Sequence, residues 1–218
     1  LLWRHRADTG ATDDGSGLIS AWTDMAGNAD LTASGSQRPT RNLTGGPNGT
    51  AEITFNGSST RLRDTSISPA ATSGPFHHFV IAKTIAWGNY DSFVGMNGPG
   101  NNYQLETSGS SPQATHDWFG GSSGNPVSMT VGTYFLVQSF GDGTTGSYMQ
   151  LNDGTPNDGD SVGGNDQFTT YVIGSQDNGL SQFWNGSICE SVFVDGSEIA
   201  GAEYTALLAY FSDRYGLF

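Results

Sequence analysis

Five glutamates are the first residues that could do chemistry: Glu52, Glu106, Glu190, Glu198 and Glu203. Hydrolysis of a glycosidic bond needs two carboxyl groups close together, one to protonate the leaving oxygen and one to attack or to activate water. Glu198 and Glu203 fall in a helical stretch near the C-terminus. Glu106 and Glu190, on different strands, make one pair that could meet. Sugar recognition asks for other residues. Sugar rings present C–H faces that stack on Trp or Tyr, and hydroxyls that pair with Asp, Asn or His. Three groups have that make-up: Trp87, Tyr90 and Asp91; Asn101, Asn102 and Tyr103; and His116, Asp117, Trp118 and Phe119. These are the candidate glycan-binding residues. The competing reading is that their aromatic members fill core or edge positions.

Metal chemistry is represented by oxygen donors. Calcium takes carboxylates, amides and carbonyls, and Asp24, Asn28 and Asp30 gather around a turn at Gly27. Asp153, Asp158 and Asp160 form a second group, which departs from the EF-hand pattern because Val162 stands at a ligand position. Against calcium stands the habit of Asp and Asn of capping turns through nearby backbone N–H groups. His77 and His78 are adjacent in a strand, so they point to opposite faces and cannot share one zinc ion. Cys189 is the only cysteine, which excludes an internal disulfide. Between apolar neighbours it reads as a buried, inert thiol.

Short apolar runs separated by Gly, Asn, Asp and Ser must position these groups, and such runs read as strands joined by turns. Phe76 to Trp87 is the longest: Phe79, Ile81, Lys83 and Ile85 share one face, and Val80, Ala82 and Thr84 the other. Both faces are largely apolar, which predicts a central strand. Further strands are predicted at Leu1–Arg6, Ile19–Asp24, Ala51–Phe55, Arg61–Arg63, Ser92–Met96, Tyr103–Thr107, His116–Phe119, Tyr134–Phe140, Ser147–Leu151, Thr169–Gly174 and Gly186–Val194. Asn56-Gly57 marks a turn, and 152–166 reads as a long loop. One helix is predicted, from about Glu198 to Asp213, with Ser197 as N-cap and Gly216 as its stop. Its stripe is Tyr204, Leu207, Leu208 and Phe211.

A chain of 218 residues fits one domain, here spanning 1–218. The formal net charge is −13, and six of the eight basic residues lie before residue 64. A surface this acidic repels phosphate backbones, so nucleic acid is not an expected partner. No apolar run approaches the length of a membrane span. The chain has no initiator Met and no signal peptide, and reads as a mature, excised or incomplete product.

The opening Leu2-Trp-Arg-His-Arg-Ala-Asp-Thr-Gly10, the block Ser20 to Leu31, Arg38-Pro-Thr40, Ala51-Glu-Ile-Thr-Phe55-Asn-Gly57 and the close from Asn185 to Leu217 resemble laminin-G-like, concanavalin A-like jelly rolls of bacterial, archaeal and phage proteins. The resemblance runs through the whole domain. It implies an all-β, two-sheet antiparallel jelly-roll sandwich with one C-terminal helix. The sandwich glucanases of that fold carry a Glu-x-Asp-x-x-Glu pattern, which no Glu here begins. The expectation is therefore a noncatalytic, surface-exposed binding, adhesion or decoration module. Its concrete form is a phage virion accessory protein with glycan-binding capacity, extracellular or on the virion surface. It would partner a cell-surface glycan or neighbouring subunits, in an oligomeric assembly, with Ca2+ as the one cofactor in view. The alternative is a glycan-cleaving enzyme of the glucanase type.

Overall fold

The computed structural model describes residues 1–68, 70–72, 74–88, 90–98, 102–107, 112–118, 126–142, 146–160, 167–176, 181–196 and 198–218. Among them the strands in chain order are β1 (Trp3–Arg6), β2 (Ala11–Asp13), β3 (Ile19–Trp22), β4 (Leu31–Thr32), β5 (Thr40–Asn42), β6 (Glu52–Asn56), β7 (Leu62–Asp64), β8 (Ala71–Thr72), β9 (Phe76–Ala86) and β10 (Ser92–Asn97). There follow β11 (Asn102–Thr107), β12 (Gln113–Trp118), β13 (Val127–Ser128), β14 (Tyr134–Gly141), β15 (Ser147–Leu151), β16 (Asn157–Asp160), β17 (Gln167–Phe168), β18 (Thr170–Ile173) and β19 (Asn185–Asp195), and then the helix α1 (Gly201–Tyr215).

Two antiparallel sheets form a sandwich. One has eight strands in the order β16-β15-β14-β9-β19-β6-β5, with β1 added against β19. The other has nine, in the order β13-β12-β11-β10-β18-β7-β4-β3-β2. β8 and β17 make a separate pair. The long apolar run predicted to be central is so: β9 lies between β14 and β19. A strand apolar on both faces needs cover on both, and it has it. Val80 and Ala82 enter the core between the sheets, while Phe79 and Ile81 pack beneath the helix. The eight-stranded sheet thus divides two apolar compartments. The larger holds Trp3, Trp22, Phe55, Phe76, Phe93, Tyr171, Trp184 and Phe193, all fully buried. Each such side chain contributes on the order of 2–3 kcal/mol on leaving water. Gly186 is required by close approach, since a Cβ there would stand 2.1 Å from the Trp184 ring.

The helix starts at Gly201, three residues after the predicted Glu198. Ser197 lies outside the described residues, and Ala200 holds the N-cap position without a side-chain bond. The stop is as predicted: Gly216 is left-handed at φ 61°, and its N–H reaches the Ser212 carbonyl. Phe211 and Tyr215 are buried against the sheet, with Tyr204, Leu207 and Leu208 beside them. Glu190 holds this joint. A bulge between Ile188 and Glu190 turns its carboxylate toward the helix. There it accepts from Arg4 Nε at 2.6 Å, Tyr210 OH at 2.8 Å and Tyr215 OH at 2.7 Å. The loop predicted at 152–166 is in part a strand, since β16 pairs with β15; 161–166 lie outside the described residues. Among the described residues no helix is long and apolar enough to cross a membrane.

Candidate functional site

One of the three sequence groups assembles at the end of the nine-stranded sheet. Where the chain passes from β9 into β10, the Tyr90 N–H donates to the Thr107 carbonyl at 3.1 Å, and the Thr107 N–H to the Asp91 carbonyl at 3.0 Å. Two residues thus oppose one, which is a bulge with Tyr90 at its first position. That position is left-handed, at φ 62°. Glycine is the usual occupant, because a Cβ there costs about 1–2 kcal/mol. The strain holds a tyrosine 48% exposed beside a carboxyl group. Thr107 fixes the turn, with its Oγ1 accepting from the Asp91 N–H at 2.9 Å and donating to the Gly88 carbonyl at 2.5 Å. The Asp91 carboxylate folds over Gly88, where any Cβ would meet Oδ2 at 1.9 Å. Partial burial pushes its pKa above the ordinary carboxylate value. Trp87 packs half-buried against the core behind them. Replacing Tyr90 by Gly should release the strain. We expect Tyr90→Gly to raise stability by up to about 1 kcal/mol, the gain limited by the entropy of the added glycine; urea unfolding measures it.

Glu106 joins this end of the sheet. Tyr103 and Leu105 face the core, so Gln104 and Glu106 alternate to the outer face of β11. Glu106 is the register partner of Ser92 on one side and of Thr115 on the other, and it is buried. Asp91 lies across from Thr107, which has the parity of Tyr103 and Leu105, so Asp91 and Glu106 share this end of the sheet but not a face. The pair Glu106 and Glu190, left open by the sequence, is excluded. Glu190 faces the helix on the far side of the eight-stranded sheet, and the whole sandwich stands between them.

The other candidates separate. Tyr103 is fully buried against Phe76, with ring centroids 4.9 Å apart. His116 is also in the interior, its Nδ1 3.0 Å from Ser139 Oγ of the opposite sheet. Both belong to the core, for one reason: they share strand parity with Leu105 and Ala114. Asp117 and Trp118 lie on β12 opposite Gln104 and Tyr103; their side chains, like all of Asn101, lie outside the described residues. Asp24, Asn28 and Asp30 do meet, in a turn. Asp24 Oδ1 accepts the N–H of Arg4 and of Ala26 at 2.7 and 2.9 Å, and Oδ2 that of Asn28 at 2.7 Å. Asp30 Oδ1 accepts the Asp24 N–H at 2.9 Å, and Asn28 Nδ2 donates to the Leu2 carbonyl. The carboxylates are spent on backbone donors, as turn capping requires. Among the described residues no group of three His, Cys, Asp or Glu is placed to hold a metal ion.

A second polar feature shares the outer face of the nine-stranded sheet. Register aligns Gln104, Gly95, Val172, Arg63, Thr32 and Ala21 in one row across it. Gln104 is fully buried, and neither its amide nitrogen nor its oxygen has a partner among the described residues. Near the other end of the row, a cleft of about 530 Å³ is lined by Thr32, Ser34, Gln37, Arg61 and Arg63 together with Asp30 and Asp64. Three strand spacings, about 14 Å, separate the strands of Glu106 and Arg63. The signal for this cleft was present in Arg61-Leu62-Arg63, where two cations flank one buried leucine.

No protein-family model and no curated protein matches the sequence. Solved structures do match in fold. Trypanosoma rangeli sialidase, in complex with sialic acid, superposes with a TM-score of 0.66 at 13% identity, over 97% of this chain and 33% of the sialidase. A GH54 α-L-arabinofuranosidase, solved with 4-nitrophenyl α-L-arabinofuranoside, gives 0.69 at 15% identity, over 98% of this chain and 59% of the enzyme. Domain 4 of AbnA, a GH43 extracellular arabinanase from Geobacillus stearothermophilus in complex with arabinotriose, gives 0.65 at 14% identity, over 95% of this chain and 98% of that domain. The chain therefore spans about a third of the sialidase and about three fifths of the arabinofuranosidase. At these identities the likeness is one of fold. All three are glycan-cleaving enzymes or a domain of one, and none of the three is a virion or adhesion protein. This overturns the expectation of a noncatalytic surface or virion module without enzymatic activity, and turns the reading toward glycan cleavage.

Proposed function

We propose that this chain works in glycan cleavage, as a glycan-cleaving enzyme or as the sandwich domain of one, with Asp91 as its acid and Tyr90 as a sugar-stacking surface. The observation that carries the reading is the strained bulge. It holds a residue with an exposed aromatic ring in the left-handed region next to a carboxyl group whose pKa burial raises. Strain of this kind persists where the surrounding structure enforces it, and it clusters at functional sites. In this role Asp91 protonates the leaving glycosidic oxygen as its bond to the anomeric carbon breaks and water takes its place there. The likeness to the arabinanase domain solved with arabinotriose, over nearly all of that domain, supports a sugar ligand for this sandwich. The blocks resembling laminin-G-like sandwiches support the finer fold assignment.

The test is release of reducing ends from arabinan, arabinoxylan and a sialylated glycan, with Asp91→Asn beside the unaltered chain. A positioned general acid contributes about 10²–10⁴-fold, so we expect kcat to fall at least 100-fold in Asp91→Asn with KM little changed. Turnover that is unaltered in Asp91→Asn, or absent on every glycan, would sink the reading.

A further inference from the structure

Eight cationic side chains face 21 acidic ones in this chain. Six of the eight are ion-paired: Arg4 with Glu190, Arg6 and Arg214 with Asp8, Arg38 with Asp14, Arg41 with Asp13 and Lys83 with Glu52. Among the described residues, Arg61 and Arg63 alone have no carboxylate partner. They stand two apart on one side of the chain entering β7, opposite the buried Leu62, and both line the 530 Å³ cleft. Arg63 Nε is buried and has no hydrogen-bond partner. Burial, and then the charge of Arg63, lower the pKa of Arg61. Two like charges held together, without an ion pair to either, are an arrangement that costs stability unless something else neutralises it.

The two carboxylates that line the same cleft, Asp30 and Asp64, form no ion pair with either guanidinium among the described residues. Asp30 accepts the Asp24 N–H, and Asp64 accepts the Ser66 N–H at 2.8 Å and its hydroxyl at 3.4 Å. Both carboxylates act electrostatically on buried His5, on the core side of the strands. The walls add neutral partners, Thr32, Ser34 and Gln37. A guanidinium fork matches two oxygens of one planar anion. The overall charge of −13 disfavours a polyanion, so a charged substituent on an otherwise neutral chain suits the surroundings.

We infer that this cleft takes an oxyanion carried on a sugar, a carboxylate or a sulfate ester, gripped between Arg61 and Arg63. The inference rests on the glycan reading and gives it a substrate class, acidic or sulfated glycans.

The experiment is calorimetric titration of the full chain with a xylo-oligosaccharide bearing one glucuronate, its methyl ester, a neutral oligosaccharide bearing one sulfate ester, and free sodium acetate and sulfate. It is repeated with Arg61→Gln, Arg63→Gln and Arg63→Lys. We expect one acidic oligosaccharide to bind at least tenfold more tightly than the neutral ester. Preference for the uronate or for the sulfate ester identifies the anion. Arg61→Gln and Arg63→Gln should each remove at least tenfold, and Arg63→Lys less. Thermal unfolding identifies any variant that has lost its fold, and the variant that keeps it then decides. Equal binding of acid and ester, indifferent to the arginines, would overturn the cleft inference and leave the glycan reading standing. Free sulfate or acetate bound as tightly as the sugars, with arginine dependence, would keep an anion cleft and overturn the sugar. No binding by any probe would overturn the inference, while turnover in the hydrolysis assay still judges the glycan reading separately.

Discussion

Glu190→Ala is expected to lower the free energy of unfolding by about 3 kcal/mol, the scale seen when one member of a buried ion pair is removed. The Glu190 carboxylate is fully buried and is the common acceptor for Arg4, Tyr210 and Tyr215. Its removal leaves the Tyr215 hydroxyl, in a buried residue, without its acceptor, and unmatched buried donors cost about 1–3 kcal/mol each. Arg4 is 26% exposed at the side chain, so water recovers part of its loss, which keeps the figure near the lower end of the range. Glu190→Gln retains one acceptor oxygen and should cost less. Urea unfolding gives the totals, and amide exchange in α1 should accelerate more than in β9. A loss under about 1 kcal/mol would show that the helix is held by its apolar stripe alone. The same substitution separates a structural role from a catalytic one: whatever turnover the folded chain has should survive it.

Acid is expected to unfold this protein between about pH 5 and 4. Burial depresses His5 to about 4, with Asp24 opposing, and depresses His77 and His78 to about 3. The reference value is 6.5. Above pH 6.5 these rings are neutral in both states, and their contribution is fully present. As pH falls below 6.5 the unfolded chain takes up protons that the folded chain refuses, so stability falls continuously toward the folded values. At pH 4.5 each ring has moved two units, about 2.7 kcal/mol at 1.36 kcal/mol per unit. Three such rings amount to about 8 kcal/mol, comparable with the whole stability of a typical domain. His77 offers the internal control. Its ring lies among Phe79, Phe140, Tyr148 and Tyr204, and neither nitrogen has a partner among the described residues. His77→Phe should therefore stabilise by about 1–2 kcal/mol at pH 7 and shift the acid midpoint downward. Tryptophan fluorescence against pH reads both. A stability flat from pH 7 to 4.5 would refute the account.

Parity and period made part of this architecture legible. The two-sided apolar run of β9, the opposite facing of His77 and His78, and the stripe of α1 all follow from side-chain geometry along one element. His78 indeed reaches Ser191 between the sheets while His77 stacks toward Tyr204. The same rule, carried further, would have placed Tyr103 with Leu105 in the core. What periodicity does not encode is which distant strands pair. Strands of two to four residues such as β2, β4, β5, β13 and β17 carry too few positions to show alternation. The candidate site was legible in one corner, at Trp87, Tyr90 and Asp91. Its completion by Thr107 arises from register across the sheet. Glu190 looked available for catalysis because nothing in its own strand reveals that a bulge turns it under a helix.

The thiol of Cys189 lies in the compartment beneath α1, 1% exposed, with burial raising its pKa. As the chain's one cysteine, it makes the joint self-reporting. A thiol-reactive dye can reach it only when its cover opens, whether α1, the segment around Gly46 that also lies against the thiol, or the whole molecule. Labelling kinetics under native conditions therefore time that opening without an engineered probe. With Glu190→Ala in parallel, they also resolve whether the helix detaches alone or only with the sandwich.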